Sequence, residues 1–149
     1  MVLSSYSKIN LSLLVNSKQK NGLHNIQSYF CLINLKDKIK IKKINGKSDK
    51  INFIGPFSKF INKKNNSIKT ILVLLRKLKL ISSYYSVVVK KNIPVFAGLG
   101  GGTSNAFTVM KYVLRKKLSK KNLNIIEKKI GSDLELFFYK QGFLKNLGS

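Results

Sequence analysis

The feature that most limits how this chain can fold is a glycine-rich segment at 94–107, PVFAGLGGGTSNAF. Four of its glycines fall within five positions, and glycine adopts backbone conformations that other residues avoid. The β-branched run YYSVVVK at 84–90 predicts a strand before the segment, and apolar residues at helical spacing predict a helix after it. The sequence therefore predicts a strand, a glycine loop and the N-terminus of a helix, in that order.

This glycine loop has the chemistry of a phosphate-binding site. The start of a helix presents unpaired N–H groups and a partial positive charge, and glycines let an anion approach the backbone closely. Thr103 and Ser104 add hydroxyl donors. The loop lacks the lysine of a Walker A sequence, and its spacing differs from the dinucleotide-binding fingerprint. From these residues alone, a flexible connector is the alternative interpretation.

Strands are predicted along much of the chain. The runs with strand character lie at 4–15, 26–35, 38–45, 50–55 and 84–90, and a last strand begins in GFLKNLG at 142–148. The residues KD and NGKSD separate the second, third and fourth runs and are interpreted as turns, which places Asp37 and Asp49 in turns. NGKSD is in addition a hairpin signal between two of the strands.

Three helices are predicted from apolar residues at helical spacing, at 68–78, 106–114 and 123–130. Asn66 or Ser67 is expected to cap the first helix, and Ser119 the third. The order is strands, helix, strand, helices and strand, which is typical of an α+β fold rather than of a regular βαβ alternation. The length of 149 residues favours a single domain.

The charge of the chain suggests a second class of function. The formal net charge is +24, which favours binding to nucleic acid or to anionic membranes. Lysine supplies 27 of the 29 basic residues and lies along the whole chain, whereas base recognition favours arginine. Lys, Asn and Ile, which share AT-rich codons, exceed a third of the residues. A non-catalytic lysine-rich binding module for nucleic acid or anionic surfaces is therefore kept as an alternative.

Single occurrences of two residue types exclude several kinds of site. Cys31 is the only cysteine, which excludes an intramolecular disulfide and fits a reducing compartment. His24 is the only histidine, which excludes a metal site built from several histidines, and no metal ligands are predicted. The longest apolar run, ILVLL at 71–75, is too short to cross a membrane, and no signal peptide is recognised at the start. We expect a cytoplasmic location.

Three segments together resemble the N-terminal motifs of the GHMP kinases. They are SSYSKINLSLLV at 4–15, GLGGGTSNA at 98–106 and IGSDLELFF at 130–138, in the order and spacing of that superfamily. Within it the pattern is most similar to the 4-diphosphocytidyl-2-C-methyl-D-erythritol kinase family, through Lys8, Asn10 and Leu11, the turn at 22–24, Gln27, and an Asn at 65 or 66. The resemblance covers nearly the whole chain.

The resemblance implies ATP- and Mg²⁺-dependent phosphorylation of the 2-hydroxyl of a cytidine-diphosphate-linked methylerythritol, a step of non-mevalonate isoprenoid biosynthesis. It implies an N-terminal domain of the ribosomal S5 domain 2-like type. It assigns catalysis to Lys8 and Asp133, and substrate binding to Asn10, Leu23 and His24. It assigns ATP binding to the loop, whose residues are Pro94, Val95, Phe96, Ala97, Gly98, Leu99, Gly100, Gly101, Gly102, Thr103 and Ser104. Asp133 would accept the proton of the hydroxyl, and Lys8 would keep it ionised.

The chain departs from the family pattern at three positions and in length. Leu23 stands where the family has a tyrosine that stacks on cytosine, Glu135 replaces a proline, and Phe107 occupies a position for a small residue. The family chain is nearly twice as long, so residues 1–149 are expected to be its ATP-binding N-terminal domain without the C-terminal domain. A fragment, a truncated gene and one half of a split enzyme are the alternatives, and the partner in the last case is a separately encoded C-terminal half. Little activity is expected from this chain alone.

Overall fold

A computed structural model of the chain describes residues 1–12, 14–18, 24–114, 118–139 and 141–146. The strands in these ranges are β1 (Val2–Asn10), β2 (Leu14–Lys18), β3 (His24–Ile44), β4 (Lys50–Ile54), β5 (Tyr84–Lys90) and β6 (Gln141–Asn146). The helices are α1 (Ser67–Lys77), α2 (Gly101–Val113) and α3 (Lys120–Ile130), with 3₁₀ segments at Ser58–Phe60 and Ser132–Phe138. The predicted α+β class is confirmed.

All six strands belong to one sheet with β3 at its centre. The order is β1-β3-β5-β4, and β2 and β6 also pair with β3. Every pairing of β3 is antiparallel, whereas β4 and β5 run parallel. A parallel pair requires a crossover connection, and α1, which lies between β4 and β5 in the chain, supplies it.

The prediction of two strands at 26–35 and 38–45 is wrong, because β3 is one strand of 21 residues. Lys36 and Asp37, the predicted turn, lie within β3, and the pairing of β3 with β1 becomes irregular just before these two residues. Tyr6 pairs with Lys36 but Ser7 pairs with Ile33, so two residues of β3 are extra at this point. The Ser7 hydroxyl donates to the Leu35 carbonyl oxygen at 2.8 Å, which satisfies a carbonyl group in the bulge. The chain therefore bends through a bulge without turning back.

The predicted hairpin at NGKSD is also wrong. The segment joins β3 to β4, but β5 lies between these strands and pairs with both. Asp49 accounts for this arrangement, because its carboxylate accepts the backbone N–H of Tyr85 at 2.9 Å and forms an ion pair with Arg76 of α1. These contacts hold the loop against the start of β5 and the end of α1, and β4 follows on the outer side of β5. The first predicted strand is shorter than expected, since β1 ends at Asn10.

The predicted helices are confirmed, and a side chain caps the start of α1 and of α3, whereas the N-cap of α2 is Gly100 without a side-chain cap. Asn66 caps α1, because its side-chain oxygen accepts the N–H of Lys69 at 3.0 Å. Ser119 caps α3 in the same way through Asn122, at 3.3 Å. The apolar stripe of α1 is fully buried and consists of Ile68, Ile71, Leu72 and Leu75.

The three helices cover one face of the sheet and leave the other exposed. Fully buried residues of the covered face, such as Ile39 and Val87, join one hydrophobic cluster with Ile71 of α1, Val109 of α2 and Ile126 of α3. The uncovered face carries exposed lysines at 38, 40 and 42 of β3, at 90 of the adjacent β5 and at 50 of β4. Among the described residues no helix is both long and apolar enough to cross a membrane.

Candidate active site

The glycine loop leaves β5 and enters α2 through a left-handed residue. Gly100 is the N-cap of α2 with φ 66°, and Gly98 has φ 71°. A Cβ atom at Gly100 would lie 3.0 Å from Cζ of Phe137 and 3.1 Å from Cγ of Lys8. Both the backbone angle and the close approach of Lys8 therefore require glycine at this position. The loop is packed directly against the strand that carries the predicted catalytic lysine.

A cleft of about 410 Å³ opens beside the loop. The loop forms one side of it, and all the predicted ATP-binding residues from Pro94 to Thr103 border it. The other side comes from β4, the segment after it and the first residue of α1, with Phe53, Phe60, Ile61, Asn62, Asn65, Asn66 and Ser67. The cleft therefore has a glycine-rich end at the start of α2 and a side lined with aromatic and amide groups.

Ser104 is the one predicted ATP-binding residue that does not border the cleft. Its hydroxyl donates to the Tyr6 carbonyl oxygen at 2.6 Å and lies 2.8 Å from the Ser5 hydroxyl. Its backbone N–H is bonded to the Gly100 carbonyl oxygen at 2.8 Å. The residue is buried and attaches α2 to β1, so it supports the loop from behind. Thr103, in contrast, borders the cleft, and its hydroxyl faces Gly131.

Lys8 and Asp133 lie together at the end of the loop. The Lys8 Nζ atom is 3.2 Å from Oδ2 of Asp133 and 3.1 Å from Oδ1 of Asn10. The Lys8 side chain is 6% exposed, whereas that of Asp133 is 36% exposed. The backbone N–H of Lys8 donates to the Leu99 carbonyl oxygen at 3.0 Å. The structure thus brings Lys8, Asp133 and Asn10 into contact beside the loop and leaves the carboxylate open to solvent.

For the two other predicted substrate-binding residues, the structure gives only the strand position of His24. His24 is the first residue of β3, where it pairs with Lys18. It lies six positions before Phe30, the residue that pairs with Asn10. Leu23 lies outside the described residues. Their roles stay predictions.

A buried polar network beneath the loop was not predicted. Asp37 is fully buried and forms an ion pair with Lys91, the residue that follows β5. Its carboxylate also accepts the backbone N–H groups of Asn92 at 2.7 Å and Ile93 at 2.9 Å, and the Asn105 side-chain N–H at 3.0 Å. This one carboxylate fixes the start of the loop, the lysine below it and the first turns of α2.

The sequence does contain a signal for Asp37. It occupies the same face of β3 as Ile39 and Ile41, two residues that point into the core. A charged residue at an inward position of an alternating strand must find an opposite charge and hydrogen-bond donors. The placement of Asp37 in a turn is wrong because the strand continues through it.

The cleft suits a nucleotide with a bound cation. The start of α2 offers backbone N–H groups for phosphates, and Lys91 Nζ lies 3.3 Å from the position of a Cβ at Gly101. Asn105 borders the same cleft, and its Oδ1 is buried without a hydrogen-bond partner in the part of the chain that the structure describes. The described residues contain no group of three or more His, Cys, Asp or Glu that could hold a metal ion.

Comparison with known proteins finds a matching family model and several similar sequences. Residues 65–139 match the model of the GHMP kinases N terminal domain. The chain is 44% identical over 137 residues to the 4-diphosphocytidyl-2-C-methyl-D-erythritol kinase of Pelagibacter ubique, with 90% of this chain and 48% of that protein covered. It is 38% identical to the enzyme of that name from Finegoldia magna, with 95% and 51% covered. The chain thus spans about half the length of these relatives.

Solved structures show the same fold. A crystal structure of 4-(cytidine 5'-diphospho)-2C-methyl-D-erythritol kinase superposes with a TM-score of 0.74 at 22% identity, over all of this chain and 53% of that one. The mevalonate kinase of Methanococcus jannaschii superposes with a TM-score of 0.60 at 18% identity, over 98% of this chain and 53% of that one. At these identities the likeness concerns the fold alone.

Proposed function

The chain belongs to the GHMP kinase family, and from this premise we propose that residues 1–149 form the ATP-binding domain of a small-molecule kinase. The acceptor that we propose is the 2-hydroxyl of 4-diphosphocytidyl-2-C-methyl-D-erythritol, in the non-mevalonate route to isoprenoids. The names of the relatives support this substrate. The observation that carries the proposal is the contact between Lys8 and Asp133 at 3.2 Å, directly beside the glycine loop.

The proposed chemistry is transfer of a phosphoryl group to an alcohol. The acceptor oxygen forms a bond to the γ-phosphorus of ATP, the bond from that phosphorus to the bridging oxygen breaks, and the acceptor proton passes to Asp133. This carboxylate is exposed enough to meet a substrate, and it accepts the proton as a general base. Lys8 holds the carboxylate in position through their contact at 3.2 Å, and it stabilises negative charge on the acceptor oxygen.

The loop residues bind and orient the phosphates in this proposal. Such reactions depend mainly on positioning and on neutralisation of charge, and Mg²⁺ bound with ATP supplies part of the neutralisation. The backbone N–H groups at the start of α2 supply more. Because the Lys8 backbone is bonded to Leu99, the lysine and the loop keep a fixed separation. The phosphates and the proton acceptor are thereby held relative to each other.

Part of the acceptor site is proposed to lie outside this chain, because the relatives are about twice as long. A misplacement of about 1 Å can cost about a hundredfold in rate, so we expect little turnover from residues 1–149 alone. Leu23 can pack on a base but lacks an aromatic face, so we expect weaker cytidine binding than a tyrosine at that position would give.

Gly102→Val tests the phosphate cradle. A Cβ atom at Gly102 would meet only the Ser67 hydroxyl, at 3.6 Å, so the variant keeps the fold while its side chain covers the backbone N–H groups. Gly101 is a poorer choice, because its Cβ would lie 2.9 Å from Cγ2 of Ile93. Calorimetry should show at least a tenfold loss of affinity for ATP with Mg²⁺.

The matched control for this variant is Gly46→Ala. Gly46 lies in the loop before β4, and a Cβ there meets its neighbours at 3.8 Å or more. We expect its affinity for ATP to stay within about twofold of the unaltered chain. Equal affinities for Gly102→Val and the unaltered chain would mean that the loop is not the phosphate site.

The second candidate function is a non-catalytic module that binds polyanions. The observation that favours it is the uncovered sheet face, where Lys38, Lys40 and Lys42 follow one another on β3 with Lys50 and Lys90 beside them. The five acidic residues of the chain lie elsewhere, one each in the buried network, near Arg76, in α3 and beside Lys8, and the fifth, Glu135, in the 3₁₀ segment after α3. Its test is a measurement of how tightly the whole chain binds DNA at different salt concentrations.

A further inference from the structure

Asn105 is a buried amide that uses only half of its hydrogen-bonding capacity. The residue is 2% exposed, and its Nδ2 donates to Oδ2 of Asp37 at 3.0 Å. Its Oδ1 is buried and has no hydrogen-bond partner among the described residues. Burial of an unpaired acceptor is unfavourable, and such groups are rare in folded proteins. The exception therefore calls for a partner that arrives from outside the chain.

The orientation of this amide is fixed by its surroundings. An ionised carboxylate accepts hydrogen bonds and donates none, so Asn105 must turn its NH₂ group to Asp37. Asp37 is itself held by Lys91 and by the backbone N–H groups of Asn92 and Ile93. The carbonyl oxygen of Asn105 then points away from Asp37, in a residue that borders the cleft. The network thus fixes an unpaired acceptor in a residue at the loop end of the cleft, and that oxygen lies buried below the surface of the cleft.

Several hydrogen-bond donors lie at this end of the cleft. They are the Lys91 ammonium, the Thr103 hydroxyl and the backbone N–H groups at the start of α2. These groups suit phosphate oxygens, which are acceptors and cannot satisfy a carbonyl oxygen. Among the parts of a magnesium nucleotide, the donors that accompany the phosphates are the water molecules on the cation, because Mg²⁺ keeps several of its waters when it binds.

We infer that Asn105 accepts a hydrogen bond from a water molecule on the Mg²⁺ of the bound nucleotide, and that Asp37 is the positioning residue that orients it. The inference rests on the proposed function, since it requires ATP phosphates on the glycine loop. Asn105 then makes the cleft prefer the metal complex of the nucleotide over the free nucleotide. Neither Lys8 nor Asp133 takes part in this preference.

The test compares the affinity for ATP in Mg²⁺ with the affinity in EDTA, by calorimetry on the whole chain. Asn105→Ala should lose about threefold to tenfold of the affinity in Mg²⁺, the worth of about one hydrogen bond, and should be unchanged in EDTA. Asn92→Ala is the matched control, because Asn92 touches the same carboxylate through its backbone but does not border the cleft. It should leave both affinities unchanged.

Two results would overturn the inference. One is an equal loss of ATP affinity for Asn105→Ala in Mg²⁺ and in EDTA. This would mean that Asn105 supports the fold or contacts the nucleotide itself. The other is no loss in either condition. An unaltered chain that binds ATP equally well with and without Mg²⁺ would refute the inference and leave the phosphate cradle standing. An unaltered chain that binds ATP in neither condition would refute the proposed function as well.

A measurement on the unaltered chain avoids any effect of the substitution on folding. The side-chain amide resonance of Asn105 should shift in a nitrogen–proton NMR spectrum when ATP is added with Mg²⁺, and should stay in place when ATP is added with EDTA. The side-chain amide of Asn92 donates to the Lys36 carbonyl oxygen and should move in neither case. Identical shifts of Asn105 in both conditions would contradict a role toward the hydrated cation.

Discussion

Asp133 is the side chain on which the proposed chemistry depends most directly. It sits in the 3₁₀ segment after α3, and its contact with the buried Lys8 sets its position while one third of it stays exposed. Glu135 lies two residues further along in the same segment and is exposed, without an ion pair to any described cation. Of the two carboxylates, that of Asp133 contacts the site residue Lys8, which makes Glu135 a suitable control.

Replacement of Asp133 should stop phosphoryl transfer without weakening ATP binding. In the chain joined to the C-terminal half of the Pelagibacter relative, we expect Asp133→Asn to lower the rate by about a hundredfold or more, because general-base catalysis contributes about 10²–10⁴. Glu135→Gln in the same protein should turn over at the parent rate. A coupled assay for ADP release measures both, and an Asp133→Asn protein as fast as its parent would exclude the proposed mechanism.

Individual residues of the site were predictable to different extents. Lys8 is one of 27 lysines, and only its place in a motif distinguished it before the structure placed it against Asp133. Asp37 could have been recognised from its inward position on β3. The open oxygen of Asn105 could not, because it depends on which hydrogen bonds the folded chain completes. Local pattern therefore predicts positions, but hydrogen-bond satisfaction requires the fold.

At the scale of elements, α3 carries an acidic group under electrostatic strain. Burial raises the pKa of the Glu127 carboxyl above its ordinary value of 4.5, and the nearby negative charge of Glu135 raises it further. Its Oε1 is buried and has no hydrogen-bond partner among the described residues. The ionised form of Glu127 is thus less stable in the folded chain than in the unfolded chain.

The free energy of unfolding should respond to pH through this group. Because the folded chain binds the proton more tightly, stability falls as pH rises from about 4.5 through the raised folded pKa. Glu127→Gln removes the ionisation, so at neutral pH it should stabilise the chain, by less than about 1 kcal/mol for a group that is partly exposed. Urea unfolding at several pH values measures this, and the gain should vanish below pH 4.5.

Glu135→Gln provides the comparison, since it removes only the smaller cause of the shift. Its gain at neutral pH should therefore be smaller than that of Glu127→Gln. A Glu127→Gln chain that is less stable than the parent at neutral pH would mean that the carboxylate makes favourable contacts which outweigh its burial.

Elements with strong local patterns were predicted well, and their pairing was not. The strand at 84–90 and the cap of α3 at Ser119 agree with the structure. The NGKSD signal predicts a hairpin, in which β3 would be the neighbour of β4. In the structure the neighbour is β5, because Asp49 of this segment contacts the distant residues Arg76 and Tyr85. Strand order is a property of contacts across the chain, so a local turn signal does not determine it.

The whole molecule carries its charge on many surfaces, and this bears on the alternative function. We expect loose binding to random single-stranded DNA that falls about a hundredfold or more between about 50 and 200 mM salt, as scattered lysines release counterions without reading bases. Lys38 and Lys40 replaced together by Gln, and Lys120 and Lys121 replaced likewise, should lower affinity to similar degrees. Fluorescence anisotropy of labelled DNA measures these affinities.

A different result would favour the polyanion-binding module. That result is tight, sequence-preferring binding at physiological salt that is lost only when the lysines at 38 and 40 are replaced. Lys120 and Lys121 are the first two residues of α3, a different element from β3, and both are exposed. This pair therefore controls for net charge, because each double variant removes two positive charges.

The attachment of β1 to α2 has a consequence for how the chain is made. Ser104 bonds to Tyr6 across 98 positions of the sequence, and the Lys8 backbone bonds to Leu99. On a ribosome that adds about 5–20 residues per second, β1 emerges roughly 5–20 s before the partners that fix it. A nascent chain interrupted before α2 therefore contains Lys8 but has no glycine loop to hold it, so the site is assembled only after α2 has been made.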